Sequence, residues 1–461
     1  MYKKNKHIHF VGIGGIGMSG IAELLLNLGY QVSGSDLNSS GTTRRLESLG
    51  AAIYQGHDSA WIAGADVVVT SSAIGDDNPE VRAAAGEHVP IIQRAEMLAE
   101  LMRLKRYGIA VAGSHGKTST TSMVAAILAE AGLDPTVVVG GKVDSLGGNA
   151  KLGEGEFLVA EADESDGSFL KLSPVIEVVT NIDVEHLDFY RDLDHIKDVF
   201  LAFIEKLPFY GVVILCLDNE NVAQVLPKIQ RRVMTYGLSE QAALSAHNLE
   251  MKGCKSSFTV RFKGKDLGEV ELNRPGRHLV YNSLAAVGVA LELEIPFPVI
   301  ARALALFNGV QRRLEVKGEQ RSILVVDDYG HHPTEIRATL DALRKGWPDR
   351  RLLVVFQPHR YSRTRALIED FATAFHRADR LFLTDIYPAG EQPLEGVNSE
   401  ALLDLIQRHG QRHATLVNNL EELAPTIAEE ARPGDLVLTL GAGNIYHVGT
   451  ELLGLLGAGS Q

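Results

Sequence analysis

A short β-branched run, a turn carrying Gly or Asp, and an amphipathic stretch with apolar residues three and four apart recur along most of the chain. That alternation is the signature of βαβ units, in which parallel strands are joined by crossover helices. It occurs in three blocks. The first runs from His7-Ile-His-Phe-Val11 through Asp66-Val-Val-Val-Thr70 to about Lys105. The second opens with Tyr107-Gly-Ile-Ala-Val-Ala112 and includes Phe157-Leu-Val-Ala160, Val175 to Ile182 and Gly211 to Leu217. The third starts near Arg313 and carries Ser322 to Asp327, Arg351 to Phe356, Arg380 to Thr384 and Asp435 to Leu440. The expected domains are therefore 1–105, 106–311 and 312–461, and 461 residues suit about three domains. Between Leu244 and Leu272 the pattern turns to polar alternation with Lys-Gly turns, which predicts a small antiparallel excursion inside the second block.

Acidic side chains outnumber basic ones, 58 to 45, for a net charge of −13. A surface of that sign repels polyanions, so sequence-independent nucleic-acid binding is excluded and any phosphate must be held locally. Two cysteines, Cys216 and Cys254, are too few for a disulfide framework or a cysteine zinc site, and a reducing cytoplasm is the expected compartment. The N-terminus has lysines before an apolar stretch, like a secretory signal, but His9 and several glycines interrupt it and Glu23 follows. Apolar runs such as Val212 to Leu217 fall well short of the ~20 residues of a membrane span, so no membrane insertion is expected.

Gly12-Ile-Gly14-Gly15-Ile-Gly17 follows a predicted strand and precedes a helix predicted over Met18 to Leu28, which is the dinucleotide-binding spacing G-x-G-x-x-G. Glycine lets the backbone approach a diphosphate, which the helix N-terminus attracts. Asp36 lies 19 residues beyond Gly17, where a carboxylate can take a ribose hydroxyl. A UDP-sugar satisfies this geometry as well as NAD does.

Ala112-Gly113-Ser114-His115-Gly116-Lys117-Thr118-Ser119 sits between a predicted strand and a helix predicted from about Thr118 to Glu130. It offers curled backbone N–H groups, a lysine for the β/γ-phosphates and a hydroxyl for Mg2+. Val111 stands where the longer form of this loop has its first glycine, so the match is to a shorter Gly-x-x-Gly-Lys-Thr version. Glu161, Asp163, Glu164 and Asp166 follow a buried-strand pattern, and four acids together call for a cation, hydrogen bonds or solvent. Another strand ends in Asn181-Ile-Asp-Val-Glu-His186, whose histidine can coordinate a second metal or orient a substrate.

These segments resemble the ATP-dependent Mur ligases of peptidoglycan synthesis. The resemblance runs in order along the whole chain, through Gly12 to Gly20, Gly113 to Thr118, Glu161 to Asp166, Asn181 to His186, Arg312-Arg313, Asp327-Asp-Tyr-Gly-His-His-Pro-Thr334 and His359-Arg-Tyr-Ser-Arg-Thr364. It implies an α/β chain of three domains. The first is Rossmann-like and binds the UDP-sugar. The second is P-loop ATPase-like, with a mostly parallel sheet and a small antiparallel excursion, and the third is Rossmann-like and binds the amino acid. The first and last motifs point to the branch that joins L-alanine to the lactyl carboxylate of UDP-N-acetylmuramate, with ATP consumed and two Mg2+ ions, or Mn2+ in their place, as cofactors.

The residue roles so implied begin with Gly12, Gly14, Gly15, Ile16, Gly17, Met18 and Ser19 on the UDP diphosphate and Asp36 near the nucleoside. Gly113, Ser114, His115, Gly116, Lys117, Thr118 and Ser119 would cradle ATP. Thr118 and Glu164 would hold one Mg2+, and His186 a second that bridges to the substrate. His278 and Asn282 resemble the adenine-contacting segment, although Leu279 stands where the family commonly has asparagine. Arg313, Asp328 and His331 would close over the phosphates, while Tyr329, His359, Arg360 and Arg363 would receive L-alanine. Several relatives carry a carbamylated lysine 14 residues beyond the metal-binding histidine. Phe200 stands there, so none is expected, and a further carboxylate or water would complete the second metal site.

A carboxylate is a poor electrophile, and phosphorylating it gives an acyl phosphate that an amine can attack. Lys117, Glu164, His186 and Arg313 are the expected catalytic groups, acting by positioning and charge neutralisation. Arg360 and Arg363 suit the amino-acid carboxylate because guanidinium binds it bidentately. Acyl phosphate hydrolyses in water, so domain closure before chemistry is expected. Three alternatives predict other behaviour: a nicotinamide-dependent oxidoreductase with an accessory ATPase domain, a nucleotide-gated interaction protein without turnover, and the family branch that recycles a whole tripeptide onto the same sugar. A monomer or a dimer fits equally well.

Overall fold

The computed structural model describes residues 6–71, 73–143, 148–187 and 189–458. The first sheet contains β1 (His7–Val11), β2 (Gln31–Asp36), β3 (Ala52–Gln55), β4 (Val67–Thr70) and β5 (Ile91–Gln93), all parallel, in the order β3-β2-β1-β4-β5. Strand order reverses between β1 and β4, and in open α/β sheets ligands bind at the carboxyl end of that crevice. The glycine turn lies there, between β1 and the helix Ile16–Asn27.

The second sheet contains β6 (Tyr107–Ala112), β7 (Thr136–Val143), β8 (Gly148–Lys151), β9 (Phe157–Glu161), β10 (Ile176–Val179), β11 (Val212–Cys216), β12 (Arg232–Gly237), β13 (Leu244–Lys252), β14 (Lys255–Phe262) and β15 (Lys265–Leu272). Its order is β15-β14-β13-β12-β11-β10-β6-β9-β7-β8. Strands β12, β11, β10, β6, β9 and β7 run parallel, and β8 returns antiparallel to β7. Two-residue connections at Gly253-Cys254 and Lys263-Gly264 join the last three strands, a length that antiparallel neighbours alone allow. The antiparallel excursion thus spans Leu244 to Leu272, the stretch where polar alternation predicted it.

β10 and β11 are buried at every position, as expected where helices cover both faces of a parallel sheet. The helix Leu193–Ile204 lays Phe200 and Phe203 on Phe169, with ring centroids 5.3 and 4.6 Å apart. Phe200 is fully buried, so its position belongs to the core, and Lys197 points elsewhere, donating to Gln224 Oε1 at 2.6 Å.

The third sheet contains β16 (Glu315–Gln320), β17 (Ile323–Asp328), β18 (Leu352–Phe356), β19 (Arg380–Leu383), β20 (Ala414–Leu416) and β21 (Leu436–Leu440), in the order β16-β17-β21-β18-β19-β20. β16 is antiparallel to β17 and the rest are parallel. The chain folds as two compact units, one of residues 1–247, 259–269 and 281–307 and one of residues 248–258, 270–280 and 308–461. No helix among the described residues is long and apolar enough to cross a membrane.

Candidate active site

In the first unit the phosphate loop leaves β6 at Ala112 and enters the helix Lys117–Glu130. Two glycines make the path possible. Gly113 has φ +128°, and a Cβ there would lie 2.1 Å from Thr180 Oγ1; Gly116 has φ +84°, and a Cβ there would lie 2.5 Å from Asn282 Oδ1. The residues just after β10 brace the loop. Thr180 Oγ1 donates to His115 O at 2.6 Å, Asn181 Oδ1 accepts His115 N and its Nδ2 donates to His115 O, both at 2.9 Å, and Ser114 Oγ accepts Asp183 N at 2.9 Å. His115 Nε2 is 3.0 Å from Asp183 Oδ2. Ser119 is buried in the first helical turn, and Asn282, far along the chain, is buried against the loop at Gly116.

Lys117 Nζ folds back onto Gly113 O and the Glu164 carboxylate, each at 2.8 Å. Burial pushes its pKa down, but Glu164 and then Asp163 push harder the other way, so the ammonium stays charged. Glu164 is 2% exposed, unlike a solvated acidic loop. Burial lifts its pKa to about 7 against the pull of Lys117, with Asp163 and Glu185 adding to the rise. His186 Nε2 lies 3.8 Å from Glu164 and 3.9 Å from Glu185, and His186 holds φ +55°, an uncommon backbone conformation that turns its ring toward both acids. Glu164, Glu185 and His186 bring one ligand atom each within 4.8 Å of one another. Carboxylate oxygens with an imidazole suit a hard divalent cation. Glu185 is a carboxylate beside His186 that the sequence did not single out. The Thr118 hydroxyl bonds Glu161, which also accepts Gly140 N at 2.7 Å, while Asp166 caps a local turn through Ser168 N at 3.0 Å.

The glycine turn is also in this unit. Ser35 O accepts Gly12 N and Ile13 N at 2.9 Å, and Asp36 Oδ2 accepts Gly14 N at 2.9 Å. Asp36 therefore holds the turn itself, a role additional to the one expected of it. Gly15 and Ile16 are exposed, whereas Met18 and Ser19 are buried on the first helix, Ser19 donating to Ile16 O at 3.0 Å. Arg94 lies against Gly17 and donates to Asp163 Oδ2 at 2.9 Å, linking the turn to the acid loop.

In the second unit Arg312 and Arg313 diverge. Arg312 is tied to Asp327 at 3.0 Å and to the carbonyls of Gly443 and Gly441 at 3.1 and 2.6 Å. Arg313 lies 5.2 Å over the Tyr329 ring and reaches Glu335 at 3.2 Å. Asp328 is buried, which pushes its pKa up to about 6 against Arg313, and its two oxygens accept Leu314 N at 2.8 Å and Gly330 N at 2.7 Å. It shapes the Arg313 turn through the backbone. His278 falls in this unit, and burial with Arg313 alongside lowers its pKa to about 4.

Tyr329, His331, His359 and Arg363 gather nearby. His331 is 5.5 Å from Tyr329 and 5.8 Å from His359, and Arg363 Nη1 is 3.2 Å from His359 Nδ1. Burial, His331 and the two arginines keep His359 neutral, with its pKa down to about 3. Arg360 holds φ +70°, and its buried Nε has no hydrogen-bond partner among the described residues. Tyr387, absent from the sequence reading, stacks on His359 at 5.5 Å, and its carbonyl accepts Arg360 N at 2.9 Å.

A mostly parallel sheet with a phosphate loop, in a chain that carries two further α/β sheets, defines a multidomain nucleotide-binding α/β protein. Residues 7–106 match the Mur ligase family catalytic domain, residues 111–290 the Mur ligase middle domain and residues 312–443 the Mur ligase glutamate ligase domain. The chain belongs to the Mur ligase family. It is 64% identical over 457 residues to UDP-N-acetylmuramate--L-alanine ligase of Desulfotalea psychrophila, covering 99% of this chain and 100% of that protein. It is 60% identical to the enzyme of the same name from a Geobacter species, covering 98% of each. Among solved structures, UDP-N-acetylmuramate-alanine ligase from Thermotoga maritima superposes with a TM-score of 0.83 at 30% identity, over 98% of this chain and 100% of that one. A murein peptide ligase from Psychrobacter arcticus gives a TM-score of 0.70 at 26% identity, over 98% and 99%.

Proposed function

We propose that this protein joins L-alanine to the lactyl carboxylate of UDP-N-acetylmuramate, with ATP cleaved to ADP and phosphate through an acyl phosphate. Full-length identity of 64% to a relative bearing that activity in its name carries the reading. The greater likeness to the alanine ligase structure than to the murein peptide ligase favours a single amino acid over a recycled tripeptide. An oxidoreductase reading leaves the Lys117–Glu164 pair and the His359–Arg363 cluster without work.

The phosphate loop holds the ATP phosphates through the N–H groups of residues 113–119, with Lys117 neutralising charge on the transferred group. Asn282, buried against Gly116, bounds the nucleotide on one side, and His278, held neutral, presents an aromatic edge to adenine. Glu164, Glu185 and His186 would hold one divalent cation and Thr118 would help to hold a second, and Mg2+ or Mn2+ would supply the positive charge that phosphoryl transfer needs. The turn from Gly12 to Ser19 takes the UDP diphosphate, and Asp36 fixes that turn. Arg313, positioned by Asp328 and flanked by His331, stabilises the charge that develops on the phosphoryl group. Arg360 and Arg363 bind the alanine carboxylate, while Tyr329 and neutral His359 bound a small pocket, which leaves the amine free to attack the acyl carbon. The domain division at residues 105 and 311 assigns UDP-sugar, ATP and amino acid to successive sheets. ATP use and two unpaired thiols suit a reducing cytoplasm.

Phosphate release from ATP and Mg2+ tests this, with UDP-N-acetylmuramate and L-alanine supplied singly and together. Release needs both, stays low with D-alanine or the tripeptide, and disappears in Lys117→Ala. Release indifferent to the sugar nucleotide overturns it.

A further inference from the structure

The glycine turn carries no lysine or arginine of its own, and the chain as a whole is anionic. A diphosphate held there by backbone N–H groups alone would keep most of its charge unneutralised. Arg94, the first residue of the helix Arg94–Arg103, fills that gap. A Cβ on Gly17 would lie 3.0 Å from both Cδ and Nη1 of Arg94, so the guanidinium is seated against the third glycine of the turn. The same guanidinium donates through Nη2 to Asp163 Oδ2 at 2.9 Å.

This is a poor staple. The side chains are 23% and 41% exposed, and pairs of that kind add little stability. Guanidinium has five N–H donors in a fixed fork, and Asp163 takes one of them. The remaining donors have no protein acceptor among the described residues, and Nη1 is on the Gly17 side. Asn149 lies on the same helix end, donating to Ser19 Oγ at 3.1 Å and also to Ile16 O, so a second side chain from outside the first sheet reaches the turn.

We propose that Arg94 is the cation of the diphosphate subsite, binding a nucleoside diphosphate bidentately while Asp163 fixes its orientation. The proposal rests on the UDP-sugar reading above and adds the group that neutralises the ligand. It also gives the third glycine a purpose here, because a Cβ at 17 would crowd the guanidinium and make it give by a few tenths of an ångström.

Calorimetric titration of the full chain with UDP and with UMP tests it. UDP affinity is expected to fall about 10- to 100-fold in Arg94→Ala, the size of a lost charge-assisted hydrogen bond, with UMP affinity changed less than threefold. Gly17→Ala should weaken UDP binding in the same direction but by less, and Arg94→Lys should recover part of the alanine variant's loss, since an ammonium keeps the charge and loses the fork. If Arg94→Ala melts early, the lysine variant and Gly17→Ala carry the test. Equal UDP affinity in the wild type and the folded variants overturns the Arg94 assignment and leaves the ligase reading standing. A wild type that binds neither UDP nor UDP-N-acetylmuramate overturns the UDP-sugar reading itself.

Discussion

The Lys117 ammonium and the Glu164 carboxylate meet 2.8 Å apart across 47 residues of sequence, where the phosphate loop turns into its helix. Truncating either side chain strands the other. Breaking a buried pair from one side costs about 3 to 5 kcal/mol, whereas removing both charges costs far less. Lys117→Met is expected to lower phosphate release by about 10^3-fold, the scale of a lost charge-stabilising donor, and to destabilise the protein. Adding Glu164→Gln should recover most of the stability and none of the activity. Urea unfolding and phosphate release on the two single variants and the double variant check this.

Asp36 accepts the Gly14 N–H at 2.9 Å, and a Cβ on Gly14 would sit 2.7 Å from that same carboxylate oxygen. Gly14→Ala must therefore push Asp36 away and open the turn. KM for UDP-N-acetylmuramate is expected to rise at least about tenfold, equivalent to roughly 1.4 kcal/mol, with KM for ATP unchanged. Asp36→Asn keeps an acceptor for Gly14 and should cost less. Steady-state kinetics varying each substrate in turn separates the two effects.

Strand ends and both glycine turns could be read directly because their signals are local: β6 and the helix after it begin and end within a residue or so of where apolar run and Gly-Lys-Thr place them. Side chains whose partners are distant in sequence were not readable. Glu185 sits beside a recognised histidine, but adjacent residues face the same ligand only where the backbone is irregular, and φ +55° at His186 is invisible in a sequence. Arg94 meets Asp163 across 69 residues, and Tyr387 reaches His359 from the loop after β19. Asp328 shows the converse: an acid in a recognised motif whose oxygens both go to backbone N–H groups.

Arg312 and Arg313 are neighbours with opposite assignments. Arg312 lies beneath Tyr446, with its guanidinium 4.5 Å from the ring, and ties the start of the third sheet to the segment after β21. Arg312→Ala leaves Asp327 buried without its cation and should destabilise the second unit by about 3 kcal/mol. Arg313→Ala should lose less stability than Arg312→Ala, because Asp328 keeps the Leu314 and Gly330 N–H groups, yet lose catalysis by 10^2-fold or more, on the order of one charge-stabilising donor. Differential scanning calorimetry beside phosphate release distinguishes them, and a stable, inactive Arg312→Ala would reverse the assignment.

Glu177 lies in the middle of β10, fully buried, and neither carboxylate oxygen has a hydrogen-bond partner among the described residues. Burial raises its pKa well above the usual carboxyl value, and Lys206 does not offset that. In the unfolded chain the group ionises near 4.5, so above that pH the folded state binds the extra proton and stability falls as pH rises. The slope is at most about 1.4 kcal/mol per pH unit, and it ends where the folded group ionises. Glu177→Gln removes the slope while keeping the shape. Its stability relative to the wild type should therefore be near or below zero at pH 5 and grow steadily to pH 8, read from urea midpoints at each pH. A difference that does not change with pH would mean that Glu177 is already ionised in the fold, held by a charge or water within the core.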